Sequence, residues 1–190
     1  MALWGASDSN ESKPNYLSTA EKDKCQATAG GWELSKTVGS RTLTERLVAM
    51  RSLTTKLGAA DITKLSWVTT AADKSAGFTL SVKALFNEAV DVTGTPQLSV
   101  TNGNQGTGSG RGPHTLVYAS GTGTNELIFN LAIAAANAAT NADDVLTIGA
   151  QNVLKPGGAT IKDTAGTNSD SAVAISGAQG TAAGTLTVVA

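Results

Sequence analysis

Cysteine is nearly missing from this chain of 190 residues. Cys25 stands alone, so no disulfide can form within the chain and four-cysteine zinc patterns are excluded. A lone cysteine reads as a small buried hydrophobe rather than a nucleophile. Histidine is equally scarce: His114 removes most histidine-based metal sites and, beside a glycine-rich stretch, reads as a solvated loop residue. No Ser-His-Asp or Cys-His arrangement is recognisable. Aromatic residues make up 4% and charged residues 15%, against abundant Gly, Ala, Thr and Ser, which suits an all-β protein and not a helical enzyme. The net charge of −1 carries no global attraction to nucleic acid or acidic membranes. The most apolar segment, "LAIAAANAAT", is too short and too polar to span a bilayer. "MALWGASDSNESKPNYL" lacks the basic start and apolar run of a signal peptide, so synthesis and assembly in the cytoplasm are expected.

What is present divides in two near residues 71–75. Residues 1–74 are net +2 with five glycines; residues 75–190 are net −3 with sixteen. The expectation is an N-terminal arm and hairpin over 1–74 and a β-sandwich over 75–190. Up to "TAGG" the arm is polar, with room for a short helix around 18–25. Trp4, Tyr16 and Leu17 are its sizeable apolar groups, and on an arm without a core such residues either stay loose in solvent, as in a disordered tail, or anchor in a neighbour. "GWELSKTVGSRTLTERLVAM" reads as a β-hairpin turning at Gly39-Ser40. Trp32 and Leu34 share one face of its first strand; Leu43 and Leu47 share a face of the return strand. "KLGAADITKLSWV" adds a turn at Gly58 and a strand ending on Trp67 and Val68.

Beyond Gly77, strands are expected near 79–86, 90–92, 97–101, 115–120, 126–133, 145–148, 172–175 and 185–189. Turn clusters "VTGTP", "NGNQGTGSGRGP", "GTGTN" and "KPGG" separate them. In "LIFNLAI", Leu127, Phe129, Leu131 and Ile133 fall on one face. Many short strands with glycine-rich turns point to an antiparallel sandwich.

Two sets of phrases resemble known families. "FNEAVDVTGTPQLSV", "LVYASGTGTNELIFNLAIA" and "GGATIKDTAGTNSD" resemble the bacterial Ig-like repeats of large surface adhesins. The matching positions include Glu88, Val90, Gly94, Pro96, Tyr118, Gly121, Gly123, Phe129, Asp163 and Gly166, in order over 77–189. Physically, Gly94 and Pro96 fix a bend, Gly121 and Gly123 supply positive φ to a hairpin loop, and Asp163 with Gly166 reads as a turn held by a side chain. The opening is similar to virion structural proteins of tailed phages, notably contractile-tailed cyanophages: "MALWG", "KPNYL" and the Gly-Trp hairpin closing in "LVAM" carry the likeness, over 1 to about 53. Glu33 and a short hairpin turn depart from that pattern.

The second resemblance implies a phage virion protein, above all a capsid decoration or cement protein on the capsid surface. Its partners are then the major capsid protein or other virion subunits, with homo-oligomers on the particle and weak contact to host-surface glycans as a further option. Docking is assigned to Trp4, Tyr16, Leu17, Trp32 and Leu34. A neck, tail or head-fibre protein and a bacterial adhesin module are the alternatives. The expected role is binding, with no enzyme activity, cofactor, nucleic acid or membrane. "GNQGTGSGRG" lacks the Gly-Lys-Ser/Thr ending of a phosphate cradle. Asp143-Asp144 and Asp163 with Asp170 raise calcium, but six to eight oxygens must converge, and solvated turn acids are the expected use. Arg41, Arg46 and Arg51 are assigned to intersubunit ion pairs.

Overall fold

The computed structural model describes residues 13–28, 31–39, 41–49, 60–103, 112–135, 140–163, 171 and 173–189. The protein is all-β; among the described residues there are two short α-helices and one 3-10 turn at Pro156–Gly158. Ser18 caps helix α1 (Thr19–Lys22): its hydroxyl accepts from the Glu21 N–H at 3.3 Å while the Glu21 carboxylate accepts from the Ser18 N–H at 3.0 Å. This reciprocal box satisfies two helix-end donors, and the Ser18 bonds hold the Glu21 carboxyl below its usual range. Strands β1 (Cys25–Thr28), β2 (Gly31–Val38) and β3 (Arg41–Ala49) follow as an antiparallel meander. Gly39 turns β2 into β3 at φ 63°, a conformation that glycine adopts without a Cβ penalty.

The larger part comprises β4 (Ile62–Trp67), β5 (Ala72–Asp73), β6 (Phe78–Thr93), β7 (Gln97–Gly103), β8 (His114–Ser120), β9 (Thr124–Ile133), β10 (Val145–Thr147), β11 (Gln151–Asn152), β12 (Thr160–Asp163), β13 (Ala174–Ile175), α2 (Gly177–Ala183) and β14 (Leu186–Val189). A 12-stranded sheet runs β3-β2-β1-β6-β9-β8-β7-β10-β14-β5, with β4 and β12 also paired to β6; β11 and β13 form a separate ribbon. The sheet curls back on itself. Gln179 Nε2 on α2 donates to Ile62 O of β4 at 2.6 Å, and Trp67 Nε1 donates to Gly184 O at 3.2 Å. Within the curl lies the main core, fed by Leu80, Val82, Ala84 and Phe86 of β6, Leu127 and Phe129 of β9, and residues from β4, β7, β8, β10 and β14. Period-two alternation explains β9, where Asn125, Leu127 and Phe129 are buried and Glu126, Ile128 and Asn130 are half-exposed.

Three expectations change. Ala60, Ile62, Leu65 and Ala72, expected with the N-terminal part, all enter the main core. The strands expected at 79–86 and 90–92 are one strand, β6, which continues through a bulge between Leu85 and Val90. Residues 160–163, for which no strand was expected, pair with residues 90–93 of β6, so Asp163 lies in a strand and not in a turn. The turn at Gly58 lies outside the described residues.

Candidate docking module

The "KPNYL" phrase folds as a structural turn. Leu17 N–H donates to Pro14 O at 3.2 Å, and Lys13, although charged, is 1% exposed with its Nζ donating to Lys22 O at 2.8 Å. The lysine stem thus packs inside while its head is held by a carbonyl at the end of α1. Leu17 turns inward to meet Cys25, Trp32 and Leu34, with Leu47 and Val48 packed against them. This is a second, smaller core. A register shift beside Trp32 and Glu33 brings Val48 opposite Trp32, so the two-face alternation expected for β3 breaks at Leu47.

The docking assignment is therefore corrected. Leu17, Trp32 and Leu34 are buried within the module and offer no surface to a partner, because Leu17 and, from β1, Cys25 pack on the face that an isolated hairpin would leave open. Tyr16, 66% exposed, is the one assigned residue found on the surface among those described, and Trp4 lies outside the described residues. Val38 and Leu43, at 62% and 56% exposure, are large apolar groups of the hairpin that were not assigned to docking. Their signal was in the sequence, since both lie beyond the reach of the Trp32–Leu34 cluster toward the Gly39 turn.

The module joins the main sheet at a bulge in β6. Leu85 pairs with Glu126 but Val90 pairs with Thr124, so β6 loops out between them. Ala27 of β1 pairs in parallel with Glu88 in that loop, and Asn87 exchanges two bonds with Asp61, at 2.8 and 3.0 Å. Asn87 and Glu88 are both buried. The phrase read as a repeat signature is thus the joint between the two parts. Beside it opens a polar groove of about 410 Å³, bordered by Lys24, Ser35 and Thr37 of the module and by Lys83, Asn125 and Glu126 of the sheet. Lys83 and Glu126 are paired across it at 3.0 Å, and Lys64 reaches Asp23 at 3.1 Å nearby. No aromatic ring lines the groove among the described residues, so it lacks the stacking platform a sugar favours.

The expected turn residues fall into two groups. Gly94 (φ 69°), Gly121 (φ 116°) and Gly123 (φ 77°) all hold positive φ. A Cβ on Gly121 would run into Glu126 O, while one on Gly123 would meet nothing. Tyr118 Oη accepts from the Thr122 N–H at 2.9 Å, clamping this loop, and Pro96 O accepts from the Tyr118 N–H at 2.9 Å. Asp163 instead is fully buried in β12 opposite Val90, and Gly166 lies outside the described residues.

The remaining chemistry serves structure. Burial pushes the Cys25 thiol up to about 11, partly opposed by Lys13, so the nucleophilic thiolate is disfavoured. His114 is buried, not a solvated loop residue; it faces Thr140 Oγ1 at 3.1 Å and Asn102 Nδ2 at 3.5 Å. Burial lowers its basicity, against a smaller opposing pull from Asp144. Asp144 is buried too, accepting from Asn102 Nδ2 at 2.9 Å and the Asn141 N–H at 2.7 Å. Asp143 points outward at φ 65°, and no three His, Cys, Asp or Glu groups converge among the described residues. Arg46 is bound within the hairpin, its Nη2 donating to Glu33 Oε1 at 2.7 Å, which corrects its assignment to an intersubunit pair. Arg51, Asp170 and residues 104–111 of the glycine-rich loop lie outside the described residues, among which no helix is long and apolar enough to cross a membrane.

Compared with family models, with curated proteins and with solved structures, the chain matches none of them.

Proposed function

We propose that the chain is a virion structural protein of a tailed phage, a capsid decoration protein that docks through its N-terminal module and presents the larger sheet outward. The observation that carries this reading is the module's construction: a foot with its own small core, fastened to the spine strand β6 and bearing Tyr16 on its surface. A foot fastened in this way holds the outer sheet at a defined angle to whatever it stands on. The likeness of "MALWG", "KPNYL" and the Gly-Trp hairpin to cyanophage virion proteins supports the same role. The strand order also agrees with an Ig-like display domain. β4-β6-β9-β8 followed by β7-β10-β14 reproduces the A-B-E-D and C-F-G orders of a constant-type sandwich, bridged here by β7–β8 pairing.

The role is binding, with the major capsid protein or another virion subunit as partner. Many copies on one lattice make modest individual contacts sufficient. Full-length protein added to expanded heads that lack it binds saturably in electron micrographs; no saturable binding overturns the reading. Exposed tyrosines are frequent anchors, so Tyr16→Ala lowers apparent affinity by roughly tenfold. Undiminished binding by that variant removes the interface from this face of the module.

A further inference from the structure

β3 ends the sheet, and no described residue pairs with its outer side. An open strand of this length is a template for another strand, and natural chains blunt such edges with proline, lysine or a bulge. β3 contains neither proline nor lysine, and its register shift lies at the far end beside Trp32 and Glu33, leaving residues 41–46 regular.

The charges on this edge fit pairing better than blocking. Register with β2 sets Arg41, Leu43 and Glu45 opposite Val38, Lys36 and Leu34, so all three share one face. Leu43 and Val38 are exposed on it. Arg41 has no ion-pair partner among the described residues, and Glu45 reaches Lys36 only at 3.9 Å. This face carries a cation, an apolar residue and an anion at even spacing, so a second copy running antiparallel to it can meet each charge with its opposite.

We infer that β3 pairs antiparallel with β3 of a second copy, about a two-fold axis through Leu43. An axis normal to the sheet keeps each face on its own side, so opposed residues must come from the same face. Centring on Leu43 sets Leu43 against Leu43, and Arg41 against the second copy's Glu45, twice over. Centring on Glu45 opposes two glutamates, and centring on Thr44 sets Leu43 against Glu45. Of these registers, only the one on Leu43 matches charge and apolar surface together. The paired stretch is short, giving a dissociation constant on the order of tens of micromolar. Such a weak link suits copies held side by side on a larger assembly, yet it does not depend on what that assembly is.

Sedimentation velocity of the full chain from about 5 to about 500 µM tests this, a range that brackets such an affinity. The weight-average coefficient rises from monomer to dimer with concentration. Glu45→Arg abolishes the rise, because both ion pairs become repulsive. Arg41→Glu combined with Glu45→Arg restores it, since the signs are exchanged across the axis. Both positions are exposed, and unchanged tryptophan fluorescence verifies the fold of each variant. Three results overturn the inference: monomer throughout, a dimer that survives Glu45→Arg, or loss of the dimer without rescue by the double exchange. A dimer of the second kind uses a different surface.

Discussion

The module and the main sheet bury apolar residues at very different scales. In the main core each side chain meets neighbours from several strands, and the curl of the sheet closes the ends through α2. The module closes around Leu17, Cys25, Trp32 and Leu34, and one tryptophan supplies much of the volume. Trp32 Nε1 is buried there without a hydrogen-bond partner among the described residues. Leaving such a donor unsatisfied costs about 1–3 kcal/mol. Burial of the indole outweighs that loss, since a tryptophan buries about 150–250 Å², roughly 4–6 kcal/mol at about 25 cal/mol per Å². A meander this small is marginal by itself. It persists because β1 leans on β6 at Glu88, which makes the joint as important as the core.

The strongest way to break this contrast is to hollow each core in turn. Phe129 is fully buried and meets Tyr118 edge-on, ring centroids 6.2 Å apart. Phe129→Ala is expected to lower stability by about 3–5 kcal/mol, displacing the urea transition of the whole chain. Trp32→Ala removes a side chain of similar worth, but its effect is local: amides of β1–β3 lose exchange protection while the main transition stays near its wild-type midpoint. A single transition displaced equally by both substitutions would show one cooperative unit instead of two cores.

A pair of glycines in one loop sharpens the same comparison inside the main sheet. Gly121 combines φ 116° with Glu126 O in the space a Cβ needs; Gly123 has positive φ but open surroundings. Gly121→Ala is expected to cost about 2–4 kcal/mol, adding a steric clash to the backbone term. Gly123→Ala is expected to cost about 1–2 kcal/mol, from conformation alone. Thermal unfolding of the two variants decides it, and equal losses would mean that the β8–β9 turn shifts freely.

The main sheet was largely legible in advance because period-two alternation is a local property. "LIFNLAI" announces its own buried face, and Gly94, Gly121 and Gly123 announce their turns. The hairpin turning at Gly39 was legible too; the burial of its inner face was not, because the residues that cover it, Leu17 and Cys25, lie outside the hairpin. Nothing in "GWELS" tells that Leu17 and Cys25 will pack on Trp32 and Leu34, whose exposure is what an uncovered hairpin implies. His114 departs from expectation for a related reason: a glycine-rich neighbour suggests solvent, whereas Asn102 of β7 and the 140–144 stretch, through Thr140 and Asp144, enclose it. The domain boundary was set by composition, which does not register that β4 pairs with β6.

A smaller effect follows from His114. Its folded-state basicity is lowered by burial, so between the folded and unfolded values the unfolded chain binds more protons. Its contribution to stability is therefore complete above the unfolded value of about 6.5 and declines as pH falls below it. His114→Gln is expected to flatten the slope of stability against pH in that window, measured by urea unfolding from about pH 7.5 to 5. An unchanged slope would assign the pH dependence elsewhere. This effect belongs to the main sheet, whereas the module, without a histidine among its described residues, contributes no such slope.

The smallest expected change lies on the module's outer face. Arg46 Nε and Nη2 both donate to Glu33 Oε1, at 2.9 and 2.7 Å, on the side of the hairpin away from Trp32. The Arg46 side chain is 56% exposed, so water and salt screen the pair. Arg46→Ala is expected to change module stability by about 0.2–1 kcal/mol, shrinking further at high salt. Exchange protection of β2 and β3 amides measures it against Trp32→Ala on the same strands. If the arginine variant approaches the tryptophan variant, the hairpin is held by its surface pair and the small core is incidental. If it does not, the four inward residues hold the foot together, and both charges at this pair remain open to exchange without unfolding it.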